Sequence, residues 1–150
     1  MKIARARPED AGALTGIAVA AKGHWGYPES WIHRWADVLT VTSDYIRTNP
    51  TFIAFAEERM VGFHALQLHA GEAALDHLWV IPSAMRGGIG RALFVHAEAT
   101  ARDAGAVVMR IEGDPHAEGF YRRMGAVVCG QRAAPMDEQA RFLPLLLKAL

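Results

Sequence analysis

The sequence has very little cysteine and no excess of charge of either sign. Its 150 residues include one cysteine, and sixteen basic side chains balance sixteen acidic ones. A single cysteine excludes an internal disulfide and is typical of a reducing compartment. Without a net positive field, the surface would recruit neither nucleic acid nor an anionic membrane, so any phosphate binding should be local.

Long hydrophobic runs are also missing. No apolar run approaches membrane-spanning length, and Met1 to Arg5 lack the apolar stretch of a secretion signal. Hydrophobic residues still make up 51% of the chain and charged residues 21%, as in a globular protein. This length suffices for one domain with a core. We therefore expect a single cytoplasmic domain over residues 1–150, with no nucleic-acid or membrane partner.

The few residues that might suggest thiol or metal chemistry have simpler interpretations. Cys129 ends the apolar run Ala126-Val127-Val128-Cys129, which predicts a small buried core residue and not a nucleophile. His64 and His69 lack a third ligand at metal-binding spacing, so we expect no metal.

Hydrophobic periodicity and turn residues predict strands and helices in alternation, with hairpins between them. A first helix follows Pro8, and Gly105 and Gly125 are typical stops for two later helices. The predicted strands cover residues 2–6, 51–56, 60–68, 74–81, 107–112, 126–131 and 141–147, and the later helices cover residues 88–104 and 115–124. The pattern favours an α/β fold with a mixed, mostly antiparallel sheet flanked by helices.

A glycine-rich turn joins the strand at 74–81 to the strongest predicted helix. It reads Met85-Arg86-Gly87-Gly88-Ile89-Gly90-Arg91. The first N–H groups of a helix lack internal partners, and glycines let a phosphate approach the backbone closely. The turn matches neither the Gly-Lys-Ser/Thr phosphate loop nor the G-x-G-x-x-G dinucleotide fingerprint. It predicts a pyrophosphate site, with a plain strand-to-helix connection as the alternative.

A second motif lies downstream, between Gly113 and Ala126. With residues 75–106 it resembles the GNAT superfamily of acetyl-CoA-dependent N-acetyltransferases. That family's loop reads Gln or Arg, two variable residues, Gly, a variable residue, then Gly or Ala, and Gly88 and Gly90 occupy the glycine positions. Its downstream helix reads Asn-x-x-Ala-x-x-Phe-Tyr, and Ala117, Phe120 and Tyr121 match it. Both ends of the chain also look like those of the family.

Three positions depart from the family pattern. Met85 stands at the position of Gln or Arg, a modest loss because backbone amides would hold the phosphates. Asp114 replaces the Asn of the helix motif, which weakens the expected contact to the pantetheine arm. Ala126 replaces the Phe that usually follows Gly125, which we interpret as a packing change.

The resemblance implies a GNAT-like sheet in which a central pair of strands splays apart. The pantetheine arm of acetyl-CoA would enter between the strand at 78–80 and its parallel neighbour at 107–112. A backbone N–H near Leu78 or Trp79 would then polarise the thioester oxygen. The implied cofactor-binding residues are Leu78, Trp79, Val80, Met85, Arg86, Gly87, Gly88, Ile89, Gly90, Arg91, His116 and Phe120.

Three residues are candidates for proton transfer. The motif match makes Tyr121 the candidate general acid for the departing thiolate, the alternative being a ring that only packs on the sheet. His77 and Glu112 flank the proposed gap as candidate bases, although solvent can also take the amine proton. Strand alternation puts Asp76 on the face of Leu78 and Val80, so it would need a distortion to reach the site.

The acceptor is less well specified. Trp25, Tyr27, Trp31 and Trp35 crowd a short segment and either pack as a cover or line an acceptor pocket suited to an apolar or cationic molecule. We expect direct acetyl transfer to a small primary amine. A non-catalytic acyl-CoA sensor and a protein or peptide acetyltransferase are the alternatives, and a homodimer is a further expectation.

Overall fold

A seven-stranded sheet with helices on both faces forms the protein, seen here in a computed structural model that describes residues 1–150. The strands are β1 (Lys2–Arg5), β2 (Thr51–Ala56), β3 (Arg59–His69), β4 (Glu72–Val80), β5 (Val108–Glu112), β6 (Val127–Ala133) and β7 (Phe142–Ala149). The helices are α1 (Ala11–Gly23), α2 (Glu29–Arg34), α3 (Ala36–Leu39), α4 (Ser43–Thr48), α5 (Ile89–Asp103) and α6 (Glu118–Arg123). None of them is long and apolar enough to cross a membrane.

The strands lie in the spatial order β1-β2-β3-β4-β5-β7-β6. Every neighbouring pair is antiparallel except β4 and β5, which run parallel. The predicted mixed, mostly antiparallel sheet flanked by helices is confirmed. Since β4 and β5 are parallel, their carboxyl ends lie at the same end of the sheet, and the loop before α5 and the turn before α6 both begin there.

The sheet separates two hydrophobic cores. On one face, α5 and α6 pack through residues such as Phe94 and Tyr121 against Met109 and Leu146 of the sheet. On the other face, α1, α3 and α4 cover a core that includes Leu14, Ile46 and Phe63. Each fully buried side chain of this size stabilises the fold by roughly 1.5–3 kcal/mol. The two cores fix the positions of the helices that contribute to the site.

The central parallel pair separates partway along its length. Pairing of β4 with β5 extends from Glu72 opposite Val108 to Leu75 opposite Ile111, and β4 then continues without a β5 partner. The unpaired part of β4 has its polar backbone groups available on that side. The splay that the family resemblance implies is therefore present.

A bulge in β4 coincides with this separation. Ala65 of β3 lies opposite His77, and the next residue, Leu66, lies opposite Leu75, so Asp76 is an extra residue on β4. The hydroxyl of Tyr45 donates to the Asp76 carboxylate, and the Tyr45 ring contacts the His77 ring at 5.7 Å between centroids. Asp76 and His77 thus share the α4 face, which strict strand alternation would have prevented.

The prediction that Cys129 is a buried core residue is wrong. Cys129 is exposed, and its thiol donates to the Leu145 carbonyl oxygen at 3.4 Å. It belongs to β6, the edge strand of the sheet, where a bulge leaves it without a cross-strand partner between Val128 and Gly130. The apolar run 126–129 is therefore covered on one side only, and Val127 is 69% exposed.

Candidate active site

The turn before α5 presents a row of free backbone donors. The N–H of Met85 donates to Pro82 and the N–H of Ala92 donates to Gly88, but none of the amides of residues 86–91 donates within the chain. Gly88 has φ +84° and Arg86 has φ +66°. A left-handed conformation costs a residue with a side chain about 1–2 kcal/mol, and such strain is typical of a functional site. Unpaired amides at the start of a helix are the arrangement that favours an anion.

Close packing holds this row of amides in place. A Cβ on Gly90 would lie 3.3 Å from Cε1 of Phe120 and 3.9 Å from Cγ2 of Val80. Phe120 also contacts Phe94 in the next turn of α5, with 6.2 Å between ring centroids. The Phe of the downstream motif therefore braces the first turn of α5 against β4. This contact joins the two motifs in the structure.

Tyr121 lies beside the gap, on α6. It is 7% exposed, and its ring packs so closely on Gly113 that an added Cβ would lie 3.1 Å from Cε2. Burial, and secondarily the negative charge of Asp114, raise the pKa of the Tyr121 phenol above its usual value. The phenol therefore stays protonated near neutral pH and can donate a proton or a hydrogen bond.

His77 lies on the face of the sheet that α1 and α4 cover. The indole N–H of Trp79 donates to its Nδ1 at 3.0 Å, and its Nε2 lies 3.8 Å from the Asp76 carboxylate. Burial lowers the pKa of His77, and the charge of Asp76 opposes this only in part. The imidazole is consequently neutral at physiological pH, with the lone pair of Nδ1 engaged.

Glu112 has a different environment from the other candidate base. It ends β5 with its side chain on the face opposite to Ile111, whose side chain shares a core with Tyr121. The guanidinium of Arg132 on β6 hydrogen-bonds its carboxylate, and the pair is partly exposed. The structure thus directs Glu112 toward β6 and separates it from Tyr121.

The aromatic residues of the α1–α2 segment form one contiguous cluster. Trp25 stacks on His116 with 4.8 Å between ring centroids, and Tyr27 contacts Trp31 and Trp35 at 5.9 and 5.0 Å. His116, which the resemblance places at coenzyme A, is therefore also a contact of this cluster.

Asp137, in the connection between β6 and β7, ties α2 down. Its carboxylate accepts the indole N–H of Trp31 at 2.7 Å and pairs with Arg34 at 2.7 Å. The connection and α2 together cover one side of the site. No sequence pattern marked Asp137, because its partners lie more than 100 positions away along the chain.

A buried polar cluster lies beneath the aromatic rings. Asp114 accepts hydrogen bonds from Nζ of Lys22 at 2.6 Å, the hydroxyl of Tyr27 at 2.9 Å and the backbone N–H of His116 at 2.8 Å. Burial alone would raise the pKa of Asp114, but the hydrogen bond and charge of Lys22, together with the hydrogen bonds from His116, outweigh burial and lower that pKa. Nη2 of Arg141 lies 3.7 Å from the same carboxylate. Sequence reasoning did not identify Lys22 or Arg141.

These features converge on the open end of the β4–β5 gap. The free amides of the α5 turn lie on one side, Tyr121 lies beside the gap, and the aromatic and charged residues of α1, α2 and β7 lie on the other side. The unpaired amides suit an anionic group, and the aromatic and charged residues offer a separate surface to a second molecule.

Both the sequence and the fold are similar to those of known acetyltransferases. The sequence matches the family model described as "Acetyltransferase (GNAT) family" over residues 21–126. The fold is similar to that of a GCN5-related N-acetyltransferase from Rhodopseudomonas palustris, with 21% identity, TM-score 0.81 and coverage of 99% of this chain and 95% of that one.

Two other solved structures are similar over nearly the whole chain. PaiA N-acetyltransferase from Thermoplasma acidophilum, in complex with coenzyme A, has 21% identity, TM-score 0.75 and coverage of 99% and 98%. The ribosomal-protein-S18-alanine N-acetyltransferase from Escherichia coli has 20% identity, TM-score 0.76 and coverage of 99% and 92%. At this level of identity the likeness concerns the fold.

Proposed function

Because the chain belongs to the acetyltransferase (GNAT) family and is an acetyl-CoA-dependent N-acetyltransferase, we propose that it transfers an acetyl group directly to the primary amine of a small molecule. The observation that carries this proposal is the row of unpaired amides at residues 86–91, next to a strand whose edge has lost its partner. The similar fold of the T. acidophilum enzyme, which was solved with coenzyme A, supports the coenzyme A part of this proposal.

The residues of this chain fit acetyl-CoA, which supplies the activated acetyl group when bound. The amides of residues 86–91 would hold the pyrophosphate, with Arg86 and Arg91 adding charge. Met85 and Phe120 would border this turn, and His116 would lie toward the pantetheine arm. The unpaired part of β4 offers backbone groups to the amides of that arm.

A backbone donor on β4 would stabilise the developing negative charge. We assign this role to the N–H of Leu78 or Trp79, in the unpaired part of the strand. One well-placed donor of this kind contributes roughly 3 kcal/mol to transition-state stabilisation.

Tyr121 is the proposed general acid for the leaving thiolate. Its phenol carries its proton at neutral pH, and its buried ring fixes the position of the hydroxyl. The availability of this group also favours an active enzyme over a non-catalytic acyl-CoA sensor.

His77 is the better placed of the two candidate bases. It is neutral and lies on the α1–α4 face, whereas Arg132 holds Glu112. To accept a proton at Nδ1, His77 must first lose the hydrogen bond from Trp79. Solvent is the alternative acceptor of the amine proton.

Two features support a small acceptor and direct transfer. The contacts of Asp137 with Trp31 and Arg34 close α2 over the site, which leaves less room for an extended peptide. Trp25 and Tyr27 then become walls of the acceptor pocket. Cys129 lies on β6, with β7 between it and β5, so it is remote from the gap as an acyl carrier.

A thiol-release assay tests this proposal. Cys129→Ser is the appropriate background, because the exposed native thiol would react with the detection reagent. We expect calorimetry to show coenzyme A binding, and acetyl-CoA to release thiol when small primary amines are present. Binding without turnover on any amine or peptide would indicate the sensor, and turnover on peptides alone would indicate a protein acetyltransferase.

A homodimer is also part of the proposal. The edge strand β6 has mostly exposed side chains and can pair with a second copy. Sedimentation velocity would show a species of twice the monomer mass, and a monomer at all concentrations would contradict it.

A further inference from the structure

Two cations share a single carboxylate in the buried cluster below α2. The side chains of Lys22, Asp114 and Arg141 are only 11%, 7% and 10% exposed. Lys22 forms a direct ion pair with Asp114 at 2.6 Å, but Nη2 of Arg141 lies beyond hydrogen-bond distance, at 3.7 Å. Two positive charges and one negative charge leave the cluster with a net charge of plus one.

The oxygens of Asp114 are already engaged by other donors. Oδ2 accepts from Lys22 and Tyr27, and Oδ1 accepts from the backbone N–H of His116 and lies 2.9 Å from its Nδ1. In contrast, Nε and Nη2 of Arg141 are buried and have no hydrogen-bond partner. A buried charged donor without an acceptor is strongly unfavourable unless a ligand completes it.

No other carboxylate of the chain forms an ion pair with Arg141. Asp137 binds Trp31 and Arg34, and Glu112 binds Arg132. The remaining neighbours of the guanidinium are aromatic: its Cζ lies 5.4 Å from the Tyr27 ring centroid and 4.8 Å from that of Trp35. The rings lie against the guanidinium, and neither of them accepts a hydrogen bond from its Nε or Nη2.

The same rings also contact Lys22, whose Nζ lies 5.1 Å from the Tyr27 centroid and 4.5 Å from the Trp35 centroid. The ring faces that were expected to attract a cationic acceptor are therefore occupied by cations of the protein itself. A third positive charge here would be repelled.

The cluster adjoins the proposed acid. Asp114 follows Gly113, whose Cβ position lies 3.1 Å from the Tyr121 ring and 3.7 Å from Cγ of Pro144 near the start of β7. Arg141 immediately precedes β7. The unpartnered guanidinium thus lies at the end of the sheet where the β4–β5 gap opens.

Resting on the function proposed above, we propose that the acceptor is a small amine that also carries a carboxylate, which Arg141 binds through its unpartnered Nε and Nη2 with Lys22 alongside. The planar guanidinium matches a carboxylate with two parallel N–H donors. The acceptor amine then lies toward Tyr121, because the cluster adjoins that residue through Gly113.

Matched pairs of amines test this. Each amino acid is compared with its neutral amide, in the series glycine, β-alanine, 4-aminobutyrate and phenylalanine, by kcat/KM for coenzyme A release. We expect the wild type to prefer the carboxylate in at least one pair by on the order of 10- to 100-fold, as hydrogen bonds to a charged group contribute. Arg141→Gln should abolish this preference while retaining turnover of the amide.

Three controls separate binding from folding. Arg141→Lys keeps the charge without the two parallel donors and should retain part of the preference. Arg102→Gln removes an exposed arginine of α5 and should leave the preference unchanged. Affinity for coenzyme A, measured by calorimetry, should be the same in all variants, which shows that each has folded.

The outcomes are distinguishable. Equal use of both members of every pair, or a preference that survives in Arg141→Gln, overturns the carboxylate assignment and leaves the acetyltransferase proposal intact. Failure of the wild type to bind coenzyme A overturns the proposed function, and this inference with it.

Discussion

The indole N–H of Trp79 donates to Nδ1 of His77 at 3.0 Å, across one intervening residue of β4. A neutral imidazole carries a hydrogen on one nitrogen and a lone pair on the other, so this bond assigns the hydrogen to Nε2. A donor to the neutral ring favours the neutral form, and burial lowers the pKa of His77 in the same direction. The Trp79 hydrogen bond therefore occupies the lone pair that His77 would need to accept a proton.

The first prediction concerns His77 as the base. His77→Gln should lower kcat by on the order of 10²-fold, as loss of a general base does, with coenzyme A affinity unchanged. Trp79→Phe removes the indole donor, so we expect the pKa of His77 to rise and the acidic limb of the kcat profile to move to higher pH. A His77→Gln enzyme with the wild-type rate and profile would mean that solvent takes the proton.

The second prediction concerns Tyr121. Tyr121→Phe removes the hydroxyl and keeps the ring that packs on Gly113. Turnover should fall by about 10²- to 10⁴-fold, the usual contribution of a positioned acid, because the thiolate would leave unprotonated. Calorimetric affinity for coenzyme A should stay the same. Unchanged turnover in this variant would refute the assignment of Tyr121 as the acid.

The third prediction concerns Gly88, whose φ of +84° is unfavourable for other residues. Gly88→Ala should lower the free energy of unfolding by about 1–2 kcal/mol. It should also weaken coenzyme A binding by on the order of 10-fold, which corresponds to roughly 1.4 kcal/mol of binding free energy. The reason is that a shifted turn would move the amides away from the pyrophosphate.

Gly16→Ala is the matched control for this change. Gly16 lies in the middle of α1, and an added Cβ there meets open space. Alanine should stabilise that helix by roughly 0.5–1 kcal/mol and leave coenzyme A affinity unaltered. Equal coenzyme A affinity in both alanine variants, measured by calorimetry, would argue against the turn as the pyrophosphate site.

The elements that sequence reasoning found have local signals. The hairpin of β2 and β3 follows from β-branched and aromatic runs around a short turn, and α5 follows from its periodic apolar face and the stop at Gly105. The splayed pair β4–β5 came from the family motif, since no local signal encodes where two strands separate. Cys129 was misplaced because an apolar run does not distinguish a central strand from an edge strand.

The charged part of the site could not be found in this way. Lys22, Asp114 and Arg141 come from α1, the turn before α6 and the start of β7, and only the fold brings them together. In the sequence Lys22 and Arg141 look like ordinary surface charges, and only Asp114 lies in a recognised motif. Buried ion clusters depend on tertiary contacts, and neither spacing nor composition reveals them.

The last prediction concerns acid stability. His64 is fully buried on β3, and its Nε2 lies 2.9 Å from Nδ1 of His96 on α5. Burial, and secondarily the charge of His96, lower the pKa of His64 to about 3 from an ordinary value of 6.5. Between these two values the unfolded chain binds a proton at His64 that the folded chain does not. The contribution of neutral His64 to the free energy of unfolding is therefore fully present above pH 6.5, and it is lost progressively as the pH falls below that value.

Urea unfolding from about pH 6.5 down to about pH 4 measures this effect, which amounts to about 1.4 kcal/mol per pH unit for one such group. His64→Leu should reduce the slope of unfolding free energy against pH by about that amount, whatever its effect on stability at neutral pH. His33→Gln, an exposed histidine of α2, controls for the loss of a histidine. The same slope in His64→Leu and in the wild type would show that acid sensitivity arises elsewhere, because the leucine variant has no group at this position to titrate.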